Sequence, residues 1–344
     1  MKQKYEKPHL SYEDQLRKLQ ERGLAVSDGQ RGLEVLKRVG YYRLSAYWYP
    51  LRVMKPGNKR TTRWNYRFDH FRPGHSLEEV RALYEFDAKL RALTFEALQV
   101  IEIAFRAAIA YYAGKEHKYI HLERGMLDKK KCSHVPKNSD KDSYSQWKMQ
   151  YERQQKRAGG EDFISHHINR YGNRLPIWIA TEFLDFGSIS MLYSYLPRNI
   201  KNEISPGFGV LQGESLASWM RNLNYVRNII AHHSRLWNKF IVTRLEQPGR
   251  AIVDPGLYHL ADSSDKDTFS KVYPSLAVIA YILSFIDPEN DWRHRMVSLI
   301  GEFPTVEGLN PVALMGFPSN WESLGLWKTD VAFINGAAVP PWYR

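Results

Sequence analysis

The amino-acid sequence predicts an all-α fold, in which a helical bundle follows an N-terminal helical region and a small hairpin. Apolar residues recur at helical spacing through most of the chain, and several of these stretches begin at a capping residue and end at glycine or proline. Strand-like alternation is confined to one short segment, residues 61–71. A chain of 344 residues with 43% apolar content can bury a sizeable core, so the sequence indicates a folded protein.

The first elements lie in a basic region. A helix is predicted from Ser11, a favourable N-cap, to Arg22, which precedes a glycine. A second helical stretch begins at Asp28 and ends at Pro50, because proline cannot continue a helix. The Pro-Gly-Asn sequence at residues 56–58 predicts the turn before the hairpin.

A long helix follows the hairpin. Ser76 and Glu79 form a capping-box pattern, and helical spacing continues from there to about Gly114. Glu102 and Arg106 on this helix are an i,i+4 pair. We expect a solvated ion pair there, unless that face turns toward the central helix described below.

The second half of the chain is predicted to hold an insertion and four more helices. Residues from about 115 to 172 are polar and charged, and the clearest helix within them runs from Ser143 to Arg157. The later predicted helices span residues 176–196, 211 to about 240, 274–286 and 291–301. From Phe303 the tail is rich in Pro, Gly and Trp, and Trp321 and Trp327 are expected to fix it in place.

These patterns divide the chain into three parts. Residues 1–75 form the basic N-terminal helical region with the hairpin, residues 76–302 the helical domain with its insertion at about 115–172, and residues 303–344 an ordered tail.

The charge of the chain favours a polyanionic partner. The formal net charge is +12, and residues 1–60 carry 14 Lys/Arg against 6 Asp/Glu, an excess of 8. Nucleic acid is the first expectation and a membrane surface the second, while solubility alone is the simplest alternative. The single cysteine, Cys132, excludes an intrachain disulfide framework and fits a cytoplasmic location. No apolar run follows Met1 and none is long enough to span a bilayer, so we expect no membrane insertion.

The most informative stretch is 221–238, RNLNYVRNIIAHHSRLWN, which predicts about five helical turns. Asparagine is a poor residue for a helix interior, so its recurrence on one face suggests a site. At 100° per residue, the polar stripe holds Arg221, Asn224, Asn228, His232, Arg235 and Lys239. The opposite apolar arc holds Leu223, Val226, Ile229, Ile230, Trp237 and Phe240.

Arg227, Asn228 and His232 could perform metal-free chemistry on an RNA phosphodiester. Histidine can act as general acid or base near neutral pH, and arginine offers paired donors to phosphate oxygens as charge builds on them. The RNA 2′-hydroxyl would be the nucleophile. The spacing alone is weak evidence, because an ordinary helix with a satisfied polar face also explains it. Arg63 to His70, and Arg227 to His233, match similar spacings.

Both of these alternative pairs are less convincing than Arg227 with His232. Arg63 lies in the expected hairpin, and His233 is expected to point toward the apolar arc. No clustered metal ligands, phosphate-binding glycine loop or serine nucleophile motif is present in the sequence, so neither metal nor cofactor is expected.

The stretch LNYVRNIIAHHSRLWN resembles the signature helix of the Abi-like family, abortive infection proteins of the AbiD and AbiF kind. Further blocks are similar in family order: YYRLSAYWYPLR at 41–52, LYEFDAKLR at 83–91, IEIAFR at 101–106, PIWIATEFLDFGSIS at 176–190 and MGFPSNW at 315–321. The resemblance places the chain in the HEPN superfamily, whose mark is Arg, four to six residues, then His, with a polar residue after the Arg. It implies a HEPN-like bundle and assigns these positions to Arg227, His232 and Asn228.

The resemblance also implies a bacterial phage-defence role. Many HEPN proteins are metal-independent endoribonucleases that leave a 2′,3′-cyclic phosphate and build a composite site from two motifs. This chain has one convincing motif, which implies a homodimer. The alternative is an RNA-binding protein that holds a dedicated structured non-coding RNA without cleaving it, and a third, weaker possibility is a protein-interaction toxin or sensor. The expected RNA-binding residues are Arg221, Asn224, Arg235, Arg43, Tyr42, Lys37 and Arg38.

Overall fold

A single long helix, α4 (Leu77–Glu116), organises the molecule. The structure is a computed structural model that describes residues 4, 6–57 and 66–328. Ser76 accepts a hydrogen bond from the Glu79 N–H, and the Glu79 carboxylate accepts one from the Ser76 N–H, so the predicted capping box is confirmed. At 1.5 Å per residue the 40 residues of α4 extend about 60 Å, long enough to contact elements from both halves of the chain.

The described residues form fifteen α-helices and one two-stranded sheet, so the predicted all-α fold class is confirmed. The other helices are α1 (Tyr12–Glu21), α2 (Gly29–Val39), α3 (Tyr41–Trp48), α5 (Lys129–Cys132), α6 (Ser143–Ala158), α7 (Asp162–Tyr171), α8 (Ile177–Phe183), α9 (Phe186–Tyr195), α10 (Arg198–Ile204), α11 (Gly213–Ala231), α12 (Tyr258–Ala261), α13 (Tyr273–Ile286), α14 (Trp292–Gly301) and α15 (Pro311–Met315). None of the helices in this described part is long and apolar enough to cross a bilayer.

In the N-terminal region α1 packs on α2, α2 on α3, and α3 on α4. Ser11 caps α1 as predicted. The predicted second stretch is wrong in one respect: Gly40, at φ 88°, divides it into α2 and α3, since glycine reaches that backbone conformation at little cost. Strands β1 (Arg52–Met54) and β2 (Arg67–Phe71) pair antiparallel. Part of the predicted turn and alternating segment, residues 58–65, lies outside the described residues.

Helices from the second half surround α4. Helices α8, α10, α11, α13 and α14 contact it directly, and the first thirteen residues of α13 are all buried. The predicted 176–196 helix is wrong in that it is two helices, α8 and α9, because Asp185 leaves helical geometry and caps α9 through the Ser188 N–H. The predicted helix over 211–240 is also too long, since α11 ends at Ala231.

The insertion and the tail both belong to the same buried cluster. The charged helix α6 buries Tyr144, Trp147 and Tyr151, and the indole of Trp147 donates to the Ser188 carbonyl at 2.9 Å. Trp321 and Trp327 pack against each other at 5.9 Å between ring centroids. The rest of the predicted ordered tail, residues 329–344, lies outside the described residues. One continuous set of buried side chains therefore reaches from the N-terminal helices to the tail, while the three-part division stays a prediction.

Candidate active site

Helix α11 presents one buried face and one exposed face. Leu223, Val226, Ile229 and Ile230 are buried, as predicted for the apolar arc. Toward solvent, Arg221 and Asn228 are exposed and Asn224 is half-buried, close to Gly187 of α9. The polar stripe therefore exists on α11, although only its first three members belong to the helix.

The chain leaves helical geometry at the two histidines. His232 is the C-cap of α11, and His233 has φ 52°, a left-handed conformation that glycine usually occupies at this position. The Ser234 N–H donates to the Ile229 carbonyl at 2.9 Å, and the His233 N–H to the Ile230 carbonyl at 2.8 Å. These two bonds form a Schellman motif that ends the helix.

Several predictions for residues after the motif are corrected by this turn. Arg235 and Lys239 do not continue the stripe, because no helix extends to them. His233 is exposed and does not point into the apolar arc, and Phe240 is 39% exposed. Trp237 is buried as predicted, but it lies in a turn beyond the end of the helix. Arg63, of the alternative pair, lies outside the described residues.

Asp87 of α4 holds the segment after the turn. Its fully buried carboxylate accepts the N–H groups of Leu236 at 3.0 Å and Trp237 at 2.8 Å. It also accepts the Tyr47 hydroxyl at 2.7 Å and pairs with Arg91, which is buried as well. Burial, with Asp87 beside it, raises the pKa of Tyr47, so that hydroxyl remains a donor. The turn that carries His232 is thereby attached to α4.

Helix α3 holds the same turn from the other side. Arg43 donates a hydrogen bond from its guanidinium to the His233 carbonyl. Arg235 donates one Nη to the Ala46 carbonyl of α3 and the other to the Asn238 carbonyl at 3.0 Å. Burial lowers the pKa of the Arg235 guanidinium. With its Nη groups used inside the protein, Arg235 supports the shape of the turn, and contact with RNA stays a prediction.

Arg227 lies against α4. Its Nε is 3.9 Å from Glu102 Oε2, and its side chain remains about one-third exposed. Glu102 also pairs with Arg106, whose guanidinium donates to the Thr181 carbonyl of α8. Glu102 and Arg106 are mostly buried, so this pair is not a solvated one, and the face turns toward α11. Glu102 thus orients Arg227, and the contact with α8 orients the Glu102–Arg106 pair.

The side chains of Asn228 and His232 are available to a ligand. Both residues are exposed, and neither side chain has a hydrogen-bond partner within residues 4, 6–57 and 66–328. Their backbones are joined by the helical bond from the His232 N–H to the Asn228 carbonyl at 3.1 Å. Arg227 directly precedes Asn228 and lies one to two helical turns before His232, at the same exposed end of α11.

The remaining predicted contacts lie beside this end or on the N-terminal region. Tyr42 is 91% exposed on α3, next to Arg43. Lys37 and Arg38 are exposed in the last turn of α2. In the ranges described, no group of three or more His, Cys, Asp or Glu side chains is placed to hold a metal ion.

The part of the chain that forms this site matches the model of a known protein family. The family model described as Abi-like protein matches residues 34–238, more than half of the chain. The chain belongs to the Abi-like protein family. Membership supports a role in abortive infection, a form of defence against phage. No curated protein and no solved structure matches the chain.

The Abi-like match spans the residues on both sides of each long-range contact at the site. It includes Arg43, Asp87 and Glu102 as well as the motif helix, and it ends at Asn238, whose carbonyl receives Arg235. Periodicity gave no reason to place Asp87 at the site, and for Glu102 it gave only the i,i+4 pair with Arg106. The available signal was their position in the two blocks at 83–91 and 101–106.

Proposed function

We propose that this Abi-like protein is a metal-independent endoribonuclease of the HEPN type that acts in bacterial phage defence. The observation that carries the proposal is the exposed end of α11, where Asn228 and His232 face solvent beside an Arg227 oriented by Glu102. An RNA phosphate placed there would meet a fork of arginine donors and an imidazole, the groups that transfer of a phosphodiester to the adjacent 2′-oxygen requires.

The reaction needs no added reagent. The 2′-oxygen attacks the adjacent phosphorus while the bond from phosphorus to the 5′-oxygen breaks, which leaves a 2′,3′-cyclic phosphate and a 5′-hydroxyl. Arg227 binds the non-bridging oxygens as negative charge grows on them. His232 accepts the 2′-proton or supplies a proton to the leaving 5′-oxygen. Asn228 holds the imidazole or the RNA.

One imidazole cannot do both proton transfers in a single concerted step. His233 follows in sequence, but it lies beyond the end of α11 in a left-handed conformation and is not part of the helical stripe. A second copy of the chain would bring another His232, so the proposal includes a homodimer with a composite site. Mixing wild type with inactive His232→Ala protein should then give less activity than the same amount of wild type alone, because mixed dimers would carry only one His232.

The test is cleavage of end-labelled RNA by the purified full chain in the presence of a chelator. We expect His232→Ala to lose about 10²–10⁴-fold in rate, the usual contribution of general acid–base catalysis. His233→Ala, the adjacent exposed histidine, is the matched control and should stay close to wild type. Arg227→Lys should also be impaired, since lysine keeps the charge but loses the fork. Equal cleavage by wild type and His232→Ala would reject the proposal.

A second candidate, an RNA-binding protein that holds a structured non-coding RNA without cutting it, is favoured by a different observation. Residues 1–60 carry an excess of 8 positive charges, which catalysis on α11 does not require. It predicts RNA of defined size in preparations made without added nuclease, released steeply by salt. Preparations without nucleic acid would remove it.

A further inference from the structure

Exposed residues lead away from the histidine turn along the N-terminal region. Arg43 reaches the carbonyl of His233, and Tyr42 is its neighbour in the first turn of α3. Arg38, in the last turn of α2, precedes Tyr42 by four residues, so its Cα lies within about 14 Å of that of Tyr42. The candidate active site and the end of α2 therefore border the same surface.

That surface continues into a basic cavity between α2 and α4. The cavity has a volume of ≈ 620 Å³ and is lined by Arg31, Lys37, Arg38 and Arg81 together with Glu34 and Val35.

The acids around the cavity do not neutralise it. Its lining holds four cations and one acid, Glu34. Outside the lining, Glu85 is 3.8 Å from Arg38 and 4.0 Å from Arg81, and Glu78 lies with Arg31 and Arg81 at an adjoining pocket, so the cations outnumber the acids by one. Across the described ranges, Arg31 and Lys37 have no carboxylate within 4.0 Å. Arg31 and Lys37, which lack such an acidic partner, favour an anionic ligand, and phosphate groups match arginine best.

Tyr42 lies in sequence between Arg38, which lines the cavity, and Arg43, which contacts the histidine turn, and it has the properties of a stacking platform. Its side chain is 91% exposed, so it contributes little to the core. The backbone beneath it is fixed, because Leu44, Tyr47 and Trp48 of α3 are buried. An exposed aromatic ring on a rigid helix among cations is typical of surfaces that bind unpaired nucleic acid.

We propose that an unpaired RNA strand runs from His232 across Tyr42, which stacks one base, into the cavity where Arg31, Lys37, Arg38 and Arg81 bind its phosphates. The inference rests on the proposed function and names its substrate: RNA that is single-stranded beside the cut. A duplex keeps its bases stacked inside the helix and offers none to Tyr42. An acidic peptide would satisfy the cations but has no base for the ring.

The experiment measures binding to the full chain carrying His232→Ala, so that cleavage does not remove the probe. The probes are a fluorescent single-stranded RNA and the same sequence annealed to its complement. We expect Tyr42→Ala to raise the Kd for the single strand about 5- to 150-fold, the range for loss of one base–aromatic stack. Tyr42→Trp should bind like the parent. Tyr171→Ala is the matched control, a tyrosine 64% exposed beside Arg170, and should have no effect.

The charges are tested by the salt dependence of the same binding. Replacing Lys37 or Arg31 by alanine should reduce the slope of log Kd against log salt by about 0.7 for each RNA phosphate that the variant no longer binds. Arg153→Ala, an exposed arginine on α6, should leave the slope unchanged.

Three results would overturn the strand path: an unchanged Kd for Tyr42→Ala, equal affinity for duplex and single strand, or displacement of the RNA by polyglutamate at equal charge concentration. Failure of the path and failure of catalysis are distinguishable. Wild type that binds through Tyr42 but never cuts removes the nuclease, whereas cutting that ignores Tyr42 removes only the path.

Discussion

Replacing Asp87 by asparagine should strongly destabilise the protein. The buried carboxylate receives the Tyr47 hydroxyl, the Arg91 guanidinium and the N–H groups of Leu236 and Trp237. Asparagine retains the size but removes the charge, and Arg91 becomes a buried cation without a counter-ion. Breaking a buried ion pair from one side costs about 3–5 kcal/mol. Because domains are stable by about 5–15 kcal/mol, we expect Asp87→Asn to remove a large share of the free energy of unfolding.

Equilibrium unfolding in urea measures this loss, and Asp69→Asn is the control. Asp69 accepts hydrogen bonds from Arg22 at 3.1 Å and Arg52 at 3.2 Å but is largely exposed, so its replacement should cost less than about 1 kcal/mol. The double variant Asp87→Asn, Arg91→Met should recover part of the loss, since no unpaired guanidinium is left buried. Similar free energies of unfolding for Asp87→Asn and Asp69→Asn would refute the reasoning.

Three further substitutions test other parts of the fold. Gly209→Ala should cost about 2–3 kcal/mol, because φ is 76° and a Cβ would lie 2.5 Å from the Phe285 ring, whereas Gly249→Ala, with nothing within 4 Å, should be nearly neutral in the same urea titration. His233→Gly should raise the free energy of unfolding by about 0.5–1 kcal/mol by relieving the left-handed backbone, and a lower melting temperature would contradict it. Burial lowers the pKa of His121 to about 3 from an ordinary 6.5, so the unfolded chain gains a proton that the folded chain cannot. His121 therefore does not lower the free energy of unfolding above pH 6.5, and it lowers that free energy by about 2 kcal/mol at pH 5. In urea titrations at a series of pH values, His121→Leu should reduce the loss of stability between pH 6.5 and pH 5. An unchanged pH dependence would contradict the assignment.

Helix boundaries with a local chemical cause could be predicted from the sequence. Ser76 and Glu79 begin α4 through a capping box, a pattern that acts within four residues. The end of α11 could not be predicted in this way. His233 adopts the conformation usually given to glycine, and tertiary contacts from Arg43 and Asp87 hold the chain there. Periodicity continued the helix to Phe240 because nothing local opposed it.

The sequence offers a hypothesis for the chemistry of the candidate site but none for the contacts that support it. Arg227, Asn228 and His232 follow from residue type and spacing together with the family resemblance. Their supporting partners do not, since Glu102 and Arg227 are 125 residues apart in sequence and meet only through the packing of α4 on α11. The family blocks contain both Asp87 and Glu102 but gave no indication of which side chains would touch.

The wide sequence separation of the contacts around the histidine turn also determines when the site can form during synthesis. Arg43 and His233 are 190 residues apart, and Asp87 and Trp237 are 150 apart. At about 5–20 residues per second, the ribosome delivers His233 roughly 10–40 s after Arg43. Until then, Arg43 of α3 and Asp87 of α4 have no histidine turn to contact. A nascent chain that ends before His233 therefore lacks the candidate site. The protein therefore gains this site only after two-thirds of its length has been made.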